Sequence, residues 1–217
     1  MSFDTSKLGE HWSGRYEIKK YIWGTDASGM ARHALEIFKK HDLKTLLLAA
    51  CGYGRNSKLF ADSGMDVTGV DSSTVGIVMA REFDPKSNYV CASVMDMPFD
   101  GPFDAVFSLN ALHLFPKHER AQFIAECMSR LNEGGLGYFA VFSEQEPSYG
   151  KGPKLEENTY ESLPGRPAHY YTEEDLRSEF IDCEVIETGI REDSDMHADG
   201  PHTHILRYMV ARKRRDK

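Results

Sequence analysis

No apolar run among the 217 residues approaches the roughly 18 needed to cross a bilayer, so a membrane-spanning helix is not expected. Cysteine is scarce. Cys51, Cys91, Cys127 and Cys183 form neither a CxxC pair nor a metal-like spacing. Three of them lie in apolar runs, which points to reduced, buried thiols rather than a disulfide framework. The opening Met1-Ser2-Phe3-Asp4 has no basic patch followed by an apolar stretch, so no secretory leader is expected and the cytoplasm is the expected location. Basic charge is outnumbered: 26 Lys and Arg against 34 Asp and Glu leave a net charge of −8. Such a surface repels phosphate backbones and has no counterion-release gain to offer a nucleic acid. The one basic cluster, Arg212-Lys213-Arg214-Arg215, reads as a solvated end. Repeats and low-complexity linkers are absent too, so a single domain over residues 1–217 is expected.

What remains is the composition of a globular chain, 41% hydrophobic and 28% charged. The first forty residues read as helical, with Met30, Ala34, Ile37 and Phe38 at helical spacing after a potential cap at Asp26. From Leu43 strands and helices alternate. Strands are predicted at 45–50, 66–71, 89–92, 103–109 and 136–142, and helices through 58–61, 74–83 and 117–131, the last stopped by Gly134-Gly135. The continuous apolar run at 45–50 fits a strand buried on both faces. This alternation implies right-handed crossovers and a parallel sheet with helices on both faces. Residues 143–168, rich in Gly, Pro, Glu and Tyr, break the rhythm as a long excursion. A helix at 173–180 follows, then two β-rich segments at 183–188 and 204–211. With no helix between them, these two should pair as an antiparallel hairpin.

In an open α/β sheet, ligands bind at the carboxyl ends of the strands, near the point where strand order reverses. The first strand ends in Ala50-Cys51-Gly52-Tyr53-Gly54-Arg55-Asn56, where Gly52 and Gly54 allow a sharp turn and close approach to a ligand. The second strand ends in Asp71, followed by Ser72-Ser73. A carboxylate there can accept both hydroxyls of a ribose, and it can equally cap the next helix. A nicotinamide dinucleotide would favour a third glycine where Ser57 stands, and the antiparallel ending is foreign to such folds.

Residues 46–71 resemble the S-adenosylmethionine motif of class I methyltransferases, closest to the small-molecule, tellurite-resistance type. The turn Cys51-Gly52-Tyr53-Gly54-Arg55-Asn56 follows that group's pattern, as do Asp66-Val67-Thr68-Gly69-Val70-Asp71 and Phe99-Asp100-Gly101-Pro102-Phe103-Asp104. Trp12-Ser13-Gly14-Arg15-Tyr16 with Trp23-Gly24-Thr25 is similar to the N-terminal cap of these enzymes. The resemblance implies a Rossmann-like α/β fold: a mostly parallel seven-stranded sheet with a C-terminal antiparallel hairpin and helices on both faces. The chain would divide into a helical cap (1–42), a cofactor-binding core (43–143), a substrate-side insertion (144–171), and a late helix with the hairpin (172–217). S-adenosylmethionine is the implied cofactor. Asp71, Gly52, Gly54, Ser93 and Val94 carry over as cofactor residues, with Ala50, Cys51, Asn56 and Ser72 beside them. Asn110 would face the methionine portion. Trp12 and Arg15 would cover the cofactor, Arg15 as partner for its carboxylate, although plain packing serves equally for Trp12. The chain departs from the family where Leu48 and Ala50 replace an acid and a glycine, and where Ser93, with Asp96 three residues on, stands for an acid.

Ser108-Leu109-Asn110-Ala111-Leu112-His113 lacks the [DNS]-P-P-[YFW] signature of nucleic-acid amino-methylating enzymes, so a small-molecule acceptor is expected and no nucleic acid. Candidate acceptor-site residues are Arg166, His169, Tyr170 and Tyr171 before the late helix, and His197, His202 and His204 in the last hairpin. They suggest a polar pocket for an anionic or thiol acceptor, with a histidine as base. His197, His204, Arg166 and Tyr171 are the catalytic candidates. His197 loosely matches the family's active-site histidine, with Ala198 where an arginine would follow. An exposed polar hairpin is the plain alternative. A metal site using His202, His204, Asp193, Asp195 and Asp199 is a further one, but no metal is expected. Beside catalysis stand a cofactor-binding protein without turnover, a nicotinamide oxidoreductase and a protein-directed methyltransferase.

Overall fold

The computed structural model describes residues 5–163, 165–197 and 200–214, with His197 described only as backbone. In chain order the elements are α1 (Leu8–Lys19), α2 (Gly29–Lys40), β1 (Thr45–Ala49), α3 (Arg55–Asp62), β2 (Asp66–Asp71), α4 (Thr74–Phe83), β3 (Asn88–Cys91), β4 (Phe103–Leu109), α5 (Lys117–Ser129) and β5 (Leu131–Phe142). After these come β6 (Lys154–Glu156), β7 (Thr159–Leu163), β8 (Arg166–His169), α6 (Glu173–Glu179), β9 (Glu184–His197) and β10 (Gly200–Arg212). Seven strands form one sheet in the order β3-β2-β1-β4-β5-β10-β9. The first five are parallel, and β10 runs antiparallel to both β5 and β9. The fold is therefore the Rossmann-like class I arrangement that the strand rhythm and the unhelical ending predict. From β1 the chain winds one way through β2 and β3, then returns to the other side for β4, which puts the switch point between β1 and β4.

Period-two alternation along β1 divides the core. Leu46 and Leu48 face α2, α3 and α4, meeting Met30, Phe38, Phe60 and Ile77. Leu47 and Ala49 face α5 and α6, meeting Phe123, Cys127, Leu176 and Phe180. Every side chain of β1 after Thr45 is buried, as the apolar run requires of a central parallel strand. Among the described residues, no helix is long and apolar enough to cross a membrane.

Four local expectations need correction. The cap of α2 is Ser28, whose hydroxyl accepts from the Ala31 N–H at 3.0 Å, not Asp26. Helix α5 stops at Ser129 and β5 begins at Leu131, ahead of Gly134-Gly135. Leu131 pairs with Phe103 but Leu136 with Ala105, so the two glycines lie in a bulged strand entrance that Gly134, at φ +75°, permits. The excursion folds as a three-stranded antiparallel sheet, β6-β7-β8. Its strands are three to five residues long and largely polar, too short for alternation to show. The hairpin is also longer than 183–188 and 204–211, because its polar outer half continues the ladder to His197 and Gly200. Two acids there are used for tertiary bonds: Asp193 accepts from the Gly29 N–H at 2.7 Å, and Asp195 binds Arg55.

Candidate active site

The loop leaving β1 turns through three left-handed residues, Ala50 (φ +61°), Gly52 (φ +55°) and Gly54 (φ +83°). At Ala50 this costs on the order of 1 kcal/mol, which a glycine would avoid. A Cβ on Gly52 would fall 2.7 Å from the Tyr16 hydroxyl oxygen, so that glycine is required by space as well as by conformation. Gly54 occupies the N-cap position of α3. Opposite, at the end of β2, Asp71 accepts from the Gly52 N–H through Oδ2 and from the Ser73 N–H through Oδ1, both at 2.8 Å. The cap of α4 itself is Ser73, whose hydroxyl accepts from the Gly76 N–H, so Asp71 braces the turn rather than capping the helix. Burial pushes the Asp71 carboxyl up, while the two backbone donors pull the other way.

These carboxyl ends, with α1 above and α5 at the side, enclose a cavity of about 840 Å³. Its wall includes Trp12, Ala50, Cys51, Gly52, Asn56, Asp71, Ser72, Ser93, Val94 and Asn110. Of the predicted cofactor residues only Gly54 and Arg15 stand outside it. Gly54 shapes the turn, and the Arg15 guanidinium lies 4.8 Å from the Trp12 ring centroid. Asn56 also has a structural duty, accepting from the Ser28 N–H at 3.0 Å. Tyr16, Leu114 and Phe123 line the wall as well and were not predicted. For Tyr16 a signal existed: it follows Trp12 by four residues and so shares its helix face. Leu114 and Phe123 carry no such sign.

The donors and acceptors present fit S-adenosylmethionine. The Asp71 carboxylate is placed for a ribose diol. Asn110, at φ +56°, has a buried Oδ1 without a hydrogen-bond partner among the described residues. A buried orphan acceptor in a cavity wall is matched by a ligand donor such as an ammonium. Val94, Met95 and Leu114 supply apolar wall for a planar base. The volume lies in the ordinary range for cofactor sites.

The acceptor candidates separate into two groups. Tyr171 is fully buried on the α5–α6 side, its hydroxyl donating to Glu179 at 2.8 Å. It is a core residue and does not reach the cavity. His169 is buried on the same side, its Nδ1 2.9 Å from the Thr159 hydroxyl. His204 lies on β10 with Nδ1 3.0 Å from Glu146 Oε1, and Glu146 Oε2 accepts from the Ile205 N–H at 2.7 Å; neither His204 nor Arg166 lines the cavity. Glu146, with a side chain only 2% exposed, is a further residue the sequence did not single out. The His204 ring stacks on Phe142, which stacks on His113 at 4.0 Å. Arg166 also acts electrostatically on His113. The His197 side chain and Asp199 lie outside the described residues. Asp193 and Asp195 are spent on Gly29 and Arg55, which leaves the predicted metal alternative without two of its three acids. Glu146, His202 and His204 do bring one ligand atom each within 4.8 Å of one another.

Burial holds His113 neutral, well below its usual range, and pushes His169 down to about 3, with Arg120 adding to the second effect. In the unfolded chain both take up a proton near pH 6.5. Their stabilising contribution is therefore complete above pH 6.5 and is lost as pH falls below it, for His169 until about pH 3. Lowering pH from 7.5 to 5.5 should cost about 1.4 kcal/mol per histidine. Urea unfolding at the two values should show this, and His169→Gln should remove about half of the change. An equal midpoint at both pH values would contradict the assignment.

Comparison with known proteins agrees with this geometry. A methyltransferase domain family matches residues 46–135. An uncharacterised methyltransferase of Synechocystis sp. is 32% identical over 99 residues, 45% of this chain and 46% of that protein. The chain spans less than half the length of the curated relatives it matches. Among solved structures, the Burkholderia thailandensis 1,6-didemethyltoxoflavin-N1-methyltransferase, with 1,6-didemethyltoxoflavin and S-adenosylhomocysteine bound, superposes with a TM-score of 0.72 at 20% identity. That match covers 97% of this chain and 89% of the other. TehB from Haemophilus influenzae gives 0.63 at 18% identity, over 84% and 62% of the two chains. Residues 46–135 thus match a methyltransferase domain family, and the chain has the fold of the S-adenosylmethionine-dependent class I methyltransferases.

Proposed function

We propose that the chain transfers the methyl group of S-adenosylmethionine to a small-molecule acceptor bearing a thiol, oxyanion or hydroxyl nucleophile. The observation that carries this is the pairing of Asp71 with the orphaned Asn110 Oδ1 in the wall of one cavity. When bound, the cofactor supplies a sulfonium-activated methyl group, so the protein must align, exclude water and remove a proton. Asp71 would take the ribose hydroxyls and Asn110 the methionine ammonium. Trp12 and Tyr16 of α1 cover the cavity against water. Glu146 accepts the Nδ1 proton of His204 and so fixes the ring with Nε2 as the basic nitrogen, suited to deprotonating a thiol or hydroxyl. The turn at Cys51–Asn56 and the cap at Trp12–Tyr16 support the tellurite-resistance type as the subtype. The acidic balance supports an acceptor other than nucleic acid, and the buried thiols of Cys51 and Cys127 support the cytoplasm.

The test is formation of S-adenosylhomocysteine with panels of small thiols, oxyanions and hydroxylated compounds. Turnover should depend on the acceptor. With a thiol or hydroxyl acceptor, His204→Gln should lower kcat by about 100-fold or more while binding S-adenosylhomocysteine like the wild type. Cofactor binding without turnover on any panel, including protein extracts, would instead favour a binding protein. Turnover on protein extracts alone would favour a protein-directed enzyme.

A further inference from the structure

Two histidines and a glutamate meet near the tip of the β9–β10 hairpin. His202 and His204 alternate with Thr203 on β10, so their rings stand on one face of the sheet, with centroids 4.4 Å apart and planes inclined at 65°. Thr203 points the other way, its hydroxyl 2.8 Å from that of Ser194. Glu146 reaches the histidines from the turn after β5. That turn is fixed to β10 by Ser143, whose N–H and hydroxyl both donate to the Ile205 carbonyl, at 3.2 and 2.7 Å. One ring nitrogen of each histidine and one Glu146 oxygen lie within 4.8 Å of one another, and His204 Nδ1 is 3.0 Å from Glu146 Oε1.

This cluster differs from an ordinary group of polar surface side chains. Glu146 has a side chain only 2% exposed, yet no lysine or arginine bonds it among the described residues. By contrast, buried Asp195 has Arg55 and Glu179 has Arg120. A desolvated carboxylate is costly without a cation beside it. Its orientation is also fixed: Oε2 accepts from the Ile205 N–H at 2.7 Å, which turns Oε1 to His204, while the His204 ring stacks on Phe142 at 5.1 Å. Outer contacts of this kind orient metal ligands. The strand register sets Asp193 opposite His204 and Asp195 opposite His202, but Gly29 and Arg55 take them up. Glu146 is the carboxylate left for a cation.

We propose that Glu146, His202 and His204 bind a divalent transition-metal cation of the zinc type. Two imidazoles and a carboxylate with a fourth position open make a zinc ligand set, whereas magnesium and calcium seek oxygen ligands. Ligand atoms of a tetrahedral zinc stand about 3.4 Å from one another, so the cluster closes on the cation by a small rotation of the exposed His202. That exposure also gives the cation a way in from solvent. Arg166 acts on Glu146 electrostatically without bonding it, which favours a cation held by nitrogen bonds over one held by charge alone. A neutral ring that coordinates a metal keeps its proton on the other nitrogen, so His204 serves as a base only in the metal-free chain. That consequence alone rests on the methyltransferase reading.

The site is tested on tag-free protein stripped with a chelator, by calorimetric titration of zinc chloride and by the visible spectrum of the cobalt(II) form. The wild type should bind one zinc per chain. The cobalt spectrum should show ligand-field bands without the charge-transfer band of a thiolate, which sets the cysteines aside. His202→Ala and Glu146→Gln should each weaken zinc binding by about tenfold or more, since even groups that only orient a ligand contribute that much. His202 is exposed, so its replacement keeps the test decisive if Glu146→Gln does not fold. The proposal is overturned if the stripped wild type takes up no zinc at millimolar concentration, or if either folded variant binds zinc as well as the wild type. A thiolate band also overturns it, because the cysteines would then hold the metal. Zinc is titrated with and without S-adenosylhomocysteine, so failure of the latter to bind counts against the methyltransferase reading and leaves the metal site to be read by itself.

Discussion

Replacing Asp71 with alanine should weaken S-adenosylhomocysteine binding by about 2–3 kcal/mol, roughly 30- to 150-fold, the range for losing hydrogen bonds to a buried charged acceptor. Asp71 is only 8% exposed, so water compensates little for the missing carboxylate. The same substitution strips the Gly52 and Ser73 N–H groups of their acceptor, so part of the loss could come from a disordered turn. Asp71→Asn separates the two effects. It keeps the size and one acceptor oxygen for the turn but presents an amide where two hydroxyls need an acceptor. Because its amide nitrogen meets one of the two backbone donors, its urea midpoint should fall, but by less than that of Asp71→Ala, while its affinity falls about tenfold. If Asp71→Ala binds S-adenosylhomocysteine within twofold of the wild type, Asp71 is a brace for the loop alone and the ribose assignment is wrong.

The parts legible in the sequence are those governed by short-range rules. The central strand showed as an unbroken apolar run, and the glycine turn with Asp71 after it showed because backbone geometry and ribose chemistry both constrain residue type. Ala50 illustrates the limit of that reasoning. As a non-glycine it suggested a departure from the turn, yet the loop holds it at φ +61° and the turn keeps its shape. What stayed hidden depends on partners distant in the chain. Tyr171 looked like a site residue because it neighbours Arg166 and Tyr170, but it faces the opposite side of the sheet from Tyr170 and is sealed in the core. Glu146 was one acid among many in an acidic excursion. Its importance comes from His204, 58 residues away, and no local pattern announces such a pair. The polar outer half of the hairpin was unreadable for a similar reason: its acids Asp193 and Asp195 bond to α2 and α3, far away in the chain.

That hairpin tip carries the second large effect. Arg55→Met or Asp195→Ala should each destabilise the protein by about 3–5 kcal/mol, the cost of leaving a buried charge unpaired. The side chains are 7% and 8% exposed, and the guanidinium reaches both carboxylate oxygens, at 2.9 and 2.7 Å. Burial pulls Arg55 down, but the hydrogen bond and charge of Asp195 outweigh it and leave it raised. The same guanidinium donates to the Trp23 carbonyl at 2.7 Å and the Asp26 carbonyl at 3.3 Å, so it joins the first turn of α3, the segment after α1 and the tip of β9. Trp23 in turn stacks on Tyr53 at 6.0 Å, and both line the cofactor cavity. Loss of the pair should therefore weaken S-adenosylhomocysteine binding although neither Arg55 nor Asp195 is assigned a catalytic part. Because the pair is buried, its contribution should change little between 0.05 and 0.5 M salt, unlike that of the exposed Lys58–Asp62 pair. The double replacement Arg55→Met with Asp195→Leu removes both charges of the pair and should recover part of the lost stability, the buried Asp193 having lost the neighbouring charge of Arg55. It should not recover the affinity, since the Trp23 and Asp26 carbonyls would still lack their donor. Urea unfolding of the two single variants and the double variant decides the matter. Single-variant losses below about 1 kcal/mol would mean that the hairpin tip is not anchored by this pair.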